Sequence, residues 1–289
     1  MLTYTSSRTL FGKLTHDSST ENLSNFDTLQ NEIIRKIAST GDYPWKEKSA
    51  DIATVEDQQG YELPNDLQKL MGVYHTIDSQ NYIPLGEITS RAQWDALNTH
   101  SATGDTPEWY YIFGGKLECY PIPVTDDNTI TVPYYKKHID LGTADYTTGT
   151  ITSIANGATT VTGDSTVWTA AMAGRYIQLP DSQWYEIASR TSGTVLEITK
   201  PYMGITVAAD TATYTIGEIS MIPEESQSLP VFEVAEIYFT SIRPDATKAK
   251  LYKALKAEGY ATLNKEKSAS VKITKGSLPI TNPQKYYSV

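Results

Sequence analysis

Hydrophobic residues near the start of the chain recur at helical spacing. Phe26, Leu29, Ile33 and Ile37 are three or four residues apart, so a helix over residues 25–40 has one apolar face and one polar face. Ser24 and Asp27 resemble a capping box at its start. The Ser/Thr/Asn-rich stretch before residue 25 lacks this period, and we expect it to form a polar arm.

Helical sequence returns near the end of the chain. The segment SQSLPVFEVAEIYFTSI is apolar on nearly all sides and has Ser228 before Pro230, which predicts a buried helix. The segment RPDATKAKLYKALKAEGYATLNKEK follows, with Asp245 as its N-cap. Its predicted apolar face carries Leu251, Leu255 and Leu263. Joined at Arg243-Pro244, the two form a predicted hairpin and, with the first helix, a three-helix core. From about residue 268 the period is lost, which indicates an extended arm.

The pattern in the middle of the chain predicts short strands. Residues 52–139 contain the runs IATV, YELP, KLMGVYHTI, YIPLGEI, WYYIFGGKLECYPIP and TITVPYYKKHI. GGK predicts a hairpin turn inside the fifth run, and SRAQWDALN predicts one short helix. Residues 143–217 are rich in Thr, Ala and Gly, with a hairpin signal at Asn156-Gly157, and suggest a small barrel or sandwich.

These patterns predict an α+β fold with antiparallel strands. A small helical core, made of the N-terminal helix and the C-terminal helix hairpin, belongs to a discontinuous domain over residues 1–142 and 218–289. Residues 143–217 form a predicted inserted all-β barrel or sandwich domain, because helical sequence resumes after them.

Composition narrows the functions that fit the chain. A net charge of −10 argues against clamping a nucleic-acid backbone, which requires Lys and Arg on phosphates. An acidic surface also suits a passage through which DNA slides without sticking, although solubility alone explains it.

The chain has twenty Tyr and only five Phe, a composition that suits contact surfaces and sheet surfaces equally. Cys119, the single cysteine, excludes an internal disulfide. No apolar run is long enough to span a membrane, so we expect a soluble chain made in a cytoplasm.

Motifs for catalysis or metal binding are absent from the sequence. The histidines His16, His75, His100 and His138 are scattered and show no ligand spacing. No nucleotide-binding or hydrolase motif occurs, so we expect neither an enzyme nor a cofactor. Acids in DSSTEN and DTPEW would suit a glycosidase, but acids beside Ser, Thr and Pro are ordinary turn and cap residues.

The order of several segments resembles a known family. RTLFGKLTHDSSTENLSNFDTLQNEIIRKIASTGDYPWK is followed by YELPNDLQKLMGVY, PLGEITSRAQWDAL, PEWYYIFGGKLECYPIP and TITVPYYKKHIDL, with helices at the end. This order is similar to adaptor proteins of the tailed-bacteriophage head-to-tail connector. The similarity covers most of the chain outside residues 143–217, which resemble a small β module of phage structural proteins.

The resemblance implies a structural virion protein at the neck. It implies a closed homo-oligomeric ring, commonly of twelve copies, beneath the portal, with the portal protein and the next neck-ring or tail protein as partners and DNA only as passing cargo. No membrane partner is implied. The arms before residue 25 and after residue 267 become candidate portal or inter-subunit contacts, together with Tyr43 and Trp45 of the GDYPWK turn and with Tyr286 and Tyr287. Core packing is favoured for Trp45, while partner contact stays open for Tyr43.

Two other functions stay open. A tail or baseplate protein would use the β insert to bind carbohydrate, with Trp168, Trp184 and Tyr185 as surface aromatics. An envelope-degrading hydrolase is the third, against which the missing motifs argue.

Overall fold

The computed structural model describes residues 1–76, 82–99, 102–126 and 128–270. The predicted C-terminal arm, with Tyr286 and Tyr287, lies outside these residues except for 268–270, which end a helix. His100 lies outside them as well.

The described residues form an α+β fold, as predicted. The helices are α1 Tyr4–Thr15, α2 Thr20–Ser39, α3 Arg91–Asn98, α4 Leu229–Ile237 and α5 Ala246–Ser270. The strands of the first half are β1 Glu47–Ala53, β2 Gly60–Glu62, β3 Leu67–Leu70, β4 Tyr74–Thr76, β5 Tyr82–Pro84, β6 Gly86–Glu87, β7 Thr103–Gly104, β8 Trp109–Phe113, β9 Lys116–Tyr120, β10 Ile122–Pro123 and β11 Thr129–Lys136. Those of the second half are β12 Thr150–Ile154, β13 Thr160–Asp164, β14 Tyr176–Gln178, β15 Trp184–Ser192, β16 Val195–Ile198, β17 Val207–Ala212 and β18 Thr215–Gly217.

The chain divides into two compact units. The helical unit contains Met1–Ile37 and Ile139–Glu266, and the strand unit is built on Ala38–His138. Residues 143–217 thus share a unit with α1 and α4. The domain boundaries at residues 142 and 218 stay predictions. That residues 143–217 are an inserted domain stays a prediction.

Residues 4–15 form a helix, so the prediction of a polar arm before residue 25 is wrong. Thr3 caps α1, since its Oγ1 accepts a hydrogen bond of 3.1 Å from the Ser6 amide. Phe11 is buried, stacks on Phe26 of α2 with ring centroids 4.6 Å apart, and meets Tyr238 edge-on. The buried face of α1 is completed by small and polar residues, which a count of hydrophobic positions overlooks.

Helix α2 also begins earlier than predicted, at Thr20 instead of residue 25. Ser24 therefore lies inside the helix, and the predicted capping box with Asp27 is wrong. Asp27 instead pairs with Arg8 of α1, with the Arg8 Nε and Asp27 Oδ1 atoms 3.0 Å apart. Burial raises the pKa of Asp27, while bonding to Tyr4 and the charge of Arg8 act in the opposite direction.

The predicted C-terminal helix hairpin is confirmed. Helix α4 ends in a π-helical turn, Tyr238–Ile242, and α5 begins after Asp245, whose Oδ1 accepts 3.0 Å hydrogen bonds from the Thr247 and Lys248 amides. The predicted leucine face is wrong for Leu251, which is exposed, because Tyr252 is the buried residue of that turn.

Residues 143–217 form strands of one seven-stranded sheet in the order β17-β12-β13-β16-β15-β14-β18. The two ends of this order do not pair in the described residues, so of the two predicted forms, barrel or sandwich, the sheet does not form a closed barrel. The predicted hairpin at Asn156-Gly157 is confirmed, since Gly157 has a φ of 81° and joins antiparallel β12 and β13. One apolar cluster fills the buried side of the sheet.

The strand unit contains a sheet in the order β1-β11-β4-β5, with β3 also on β11, and a second sheet in the order β2-β9-β8-β6. The β8–β9 hairpin turns at Gly114 and Gly115, both with positive φ, as GGK predicts. The short helix predicted from SRAQWDALN is α3.

Buried tyrosines make the fold sensitive to alkali. Burial raises the pKa of Tyr110 to about 12, whereas the pKa of a tyrosine in an unfolded chain is about 10. Between these values the folded chain holds more protons than the unfolded chain, so its stability falls as the pH rises. We expect the urea midpoint to fall between about pH 10 and pH 12, and to fall less steeply in Tyr110→Phe than in the wild type. Equal slopes in the two proteins would contradict this assignment.

Candidate interaction surfaces

A row of aromatic side chains lies on one face of β8. Trp109, Tyr111 and Phe113 are two residues apart along the strand and therefore point to the same side. Trp109 is 42% exposed and Phe113 is 53% exposed. The rings of Tyr111 and Phe113 are nearly parallel, with centroids 6.2 Å apart. Exposed aromatic groups held on a strand favour contact with another protein; we call Trp109, Tyr111 and Phe113 the aromatic row.

Helix α3 holds the aromatic row in place. Its buried Trp94 stacks on Tyr111 with ring centroids 5.5 Å apart. The guanidinium group of Arg91, one turn earlier, lies 4.7 Å from the ring centre of Phe113 and is bound by Asp95 through a 2.8 Å ion pair. The hydrogen bond to Asp95 raises the pKa of Arg91, so a fixed positive charge lies beside the row.

Gly86 gives Trp109 the space that its indole ring occupies. Gly86 of β6 pairs directly with Trp109 of β8. A Cβ atom at this glycine would lie 2.3 Å from the indole ring. The ring therefore lies flat across the backbone of β6, and any larger residue at position 86 would displace it.

A loop in the helical unit exposes two aliphatic side chains. Met203 is 75% exposed and Ile205 is 89% exposed. The loop is nevertheless ordered by local hydrogen bonds, because Asn156 Nδ2 donates to the Gly204 carbonyl and the Asn156 amide donates to Thr206 Oγ1, both at 2.9 Å. We call Met203 and Ile205 the aliphatic tip.

The GDYPWK turn carries two of the predicted contact residues. Tyr43 is buried and Trp45 is partly exposed, and their rings stack with centroids 4.9 Å apart. Core packing is thus complete for Tyr43 and partial for Trp45, and partner contact by either residue stays a prediction. Both are fixed beside Lys46, whose buried Nζ donates to the Ala38 carbonyl at 2.5 Å and to the Gly41 carbonyl at 3.2 Å. Burial lowers the pKa of Lys46.

Two of the three predicted surface aromatics of residues 143–217 are buried. Trp168 is 1% exposed, and its Nε1 donates a 2.9 Å hydrogen bond to the Tyr214 hydroxyl. Tyr185 is buried too and donates to Asp181 Oδ2 at 2.6 Å. Only Trp184 of these three faces a solvent-accessible cavity. These hydrogen bonds satisfy the indole N–H of Trp168 and the hydroxyl of Tyr185, so both rings can be buried without leaving a polar group unpaired.

Groups of three or more His, Cys, Asp or Glu side chains able to hold a metal ion do not occur in the part of the chain that the structure describes. His75 is buried, with its Nε2 atom 2.8 Å from Asn128 Oδ1. Burial raises the pKa of Cys119 to about 12, so this thiol is not an activated nucleophile. None of the helices within the described ranges is long and apolar enough to cross a membrane.

Ordered elements that expose aromatic and aliphatic side chains are typical of a protein that works through contacts with other proteins. The family model of the SU10 adaptor proteins matches residues 3–158, more than half of the 289 residues. The chain therefore belongs to the SU10 adaptor protein family. This family makes it a phage structural adaptor and a structural component of the virion. No curated protein matches the chain.

The matched region contains α1, α2 and the whole strand unit with the aromatic row, and ends four residues after β12. The sequence indicated this family through the order of its segments. It did not indicate the aromatic row, because Trp109 to Phe113 are apolar on both faces and alternation alone does not say which face is exposed.

Proposed function

We propose that the protein is a head-to-tail adaptor that forms a closed ring beneath the portal, joins the capsid to the tail and lets DNA pass. The aromatic row is the observation that supports this most directly, because ordered aromatic groups at a surface are the usual anchors of a protein interface. Membership of the adaptor family supports the same function.

A ring of identical subunits needs two unlike surfaces on every copy, so that each copy binds the next in the same sense. The aromatic row in the strand unit and the aliphatic tip in the helical unit are two such surfaces of different chemistry. We propose that they take part in ring closure and portal docking, together with the predicted contacts at Tyr286 and Tyr287.

The net charge of −10 agrees with a neck through which DNA moves. An acidic protein offers few cations to neutralise phosphates and repels the DNA backbone, so the genome passes without being retained.

Replacing the aromatic row tests this function. We expect Trp109→Ala/Phe113→Ala to lower the affinity of the protein for portal rings of the same phage by about a hundredfold or more, because buried aromatic anchors each contribute about 2 kcal/mol or more. Native mass spectrometry and negative-stain microscopy of the mixed proteins measure the complex. Val55→Ala/Met71→Ala, at exposed apolar residues of the same unit, is the matched control and should bind normally.

Two results would contradict the proposal. One is a wild-type protein that forms no complex with the portal, and the other is an aromatic-row variant that assembles as well as the control. Near-ultraviolet circular dichroism of both variants separates a lost contact from a lost fold.

The alternative, a tail or baseplate protein, places the chain elsewhere in the virion. Gold-labelled antibodies against residues 143–217 distinguish the two by electron microscopy of intact particles. Label at the neck agrees with the adaptor, and label at the tail tip rejects it in favour of a role in host recognition.

A further inference from the structure

A cavity in the helical unit has no role in the proposed adaptor function. Its volume is about 420 Å³, within the range of small-molecule sites. Its lining residues are Met1, Ser6, Gln178, Ser182, Gln183, Trp184 and Glu224. The lining therefore combines one large aromatic ring with amide, hydroxyl and carboxylate groups.

Strand alternation places the ring and an amide side by side. Ile177 of β14 and Tyr185 of β15 form a cross-strand pair, and both are buried in the core of the sheet. The next pair, Gln178 and Trp184, therefore points to the opposite face, where the two side chains are direct neighbours. The indole ring of Trp184 thus lies beside the side-chain amide of Gln178, whose Nε2 atom donates a 3.3 Å hydrogen bond to the Ser182 carbonyl and whose Oε1 atom is an acceptor.

The turn between β14 and β15 forms a fixed wall. The Ser182 amide donates to the Leu179 carbonyl at 2.8 Å, and Asp181 Oδ1 accepts a 3.0 Å hydrogen bond from the Gln183 amide. Ser182 has a φ of 63°, a conformation that the turn maintains. Ser182 and Gln183 are both exposed and line the cavity, to which they bring a hydroxyl and a side-chain amide. Because the backbone is fixed before any ligand arrives, little ordering is needed on binding.

The rest of the lining comes from two other segments of the same unit. Ser6 lies in the first turn of α1, where its hydroxyl contacts Thr3 Oγ1 at 3.0 Å. Glu224 lies in a 3₁₀ turn and forms an ion pair with the amino group of Met1. These groups add a hydroxyl and a carboxylate at the rim.

The chemistry of the lining selects a class of ligand. A pyranose ring has an apolar C–H face that covers an indole ring, and hydroxyl groups around its edge that bond to amides, hydroxyls and carboxylates. Among the described residues that line the cavity none has a Lys or Arg side chain, and the amino group of Met1 is already paired with Glu224, which argues against phosphorylated or acidic ligands. A flat aromatic ligand would need a second apolar wall, whereas the other lining groups are mostly polar.

We propose that this cavity binds a neutral pyranose of an oligosaccharide through Trp184, Gln178 and Gln183. The lining shares no residue with the aromatic row or the aliphatic tip. Binding at a single open cavity is weak, so repeated copies of the site on one particle would supply avidity for a glycan surface.

Titration of the full chain with defined sugars tests the proposal. The probes are maltohexaose, cellohexaose and chitotetraose, each at up to about 5 mM, followed by isothermal calorimetry and saturation-transfer nuclear magnetic resonance. We expect at least one probe to bind with a Kd in the millimolar range or below, and Trp184→Ala to weaken it by about tenfold or more. Gln178→Ala should weaken sugar binding by roughly threefold to tenfold.

Trp109→Ala is the matched control, because it removes a partly exposed tryptophan from the other unit and should leave sugar binding unchanged. Failure of all three probes to bind the wild-type protein would overturn the proposal, and so would equal binding by Trp184→Ala and Trp109→Ala. Portal binding by Trp184→Ala should be normal. A failure of the sugar-binding proposal can therefore be distinguished from a failure of the adaptor proposal.

Discussion

We expect Phe11→Ala to lower the free energy of unfolding of the helical unit by about 3 to 5 kcal/mol. Phe11 is almost fully buried, stacks on Phe26 and meets the edge of Tyr238, so removal of its ring leaves a cavity shared by α1, α2 and the turn that follows α4. Urea denaturation followed by circular dichroism measures the loss. Hydrogen exchange followed by mass spectrometry shows whether it is confined to peptides of that unit.

Lys13→Ala is the control, since Lys13 is exposed on the same helix and should change stability by less than about 0.5 kcal/mol. If Phe11→Ala unfolds at the wild-type midpoint, residues 4–15 do not pack as described, and the arm expected from the sequence would be the better description.

The second large effect is expected from Trp168→Ala, at about 3 to 5 kcal/mol as well. The ring is enclosed by the sheet of residues 143–217 and meets Tyr214 edge-on with centroids 5.7 Å apart. Its hydrogen bond continues through the Tyr214 hydroxyl, which donates to the Thr148 carbonyl at 2.5 Å. Loss of the indole therefore leaves both a cavity and a buried hydroxyl with one partner fewer.

Trp184→Ala provides the comparison for this substitution, because Trp184 of β15 lies in the same unit but faces the cavity. Its cost should stay near 1 kcal/mol. Thermal unfolding should therefore separate the two variants by roughly 6 °C or more. The reverse order of stability would show that Trp168 is the surface residue and Trp184 the core residue.

Elements specified by local signals were predicted from the sequence. The apolar period of α2, the capping carboxylate of Asp245 and the glycines of the hairpins act within a few residues, so the pattern alone locates these elements. The α4–α5 hairpin follows from the proline and N-cap between two helical segments.

Features that depend on distant partners were not predicted. Helix α1 buries Ser7, Gly12 and Thr15 beside its two aromatic residues, and such small polar residues give no hydrophobic period. Closure of a sheet depends on whether its end strands meet, which spacing along the chain does not encode. Likewise the sequence around Trp168 and Trp184 does not say which ring is enclosed, because Trp168 lies in the loop after β13 and is buried against a distant residue, Tyr214.

The division into two units has a consequence for synthesis on the ribosome. The strand unit is contiguous over Ala38–His138, whereas the helical unit combines the first 37 residues with segments that begin at Ile139. Phe11 can contact Tyr238 only after more than 200 further residues have been translated. Domains fold as units during synthesis, so the strand unit can form while half of the chain is still to be made. The aromatic row is then complete before the helical unit that starts the chain, so the nascent chain already exposes Trp109 and Phe113 while its own first helices still lack their partners.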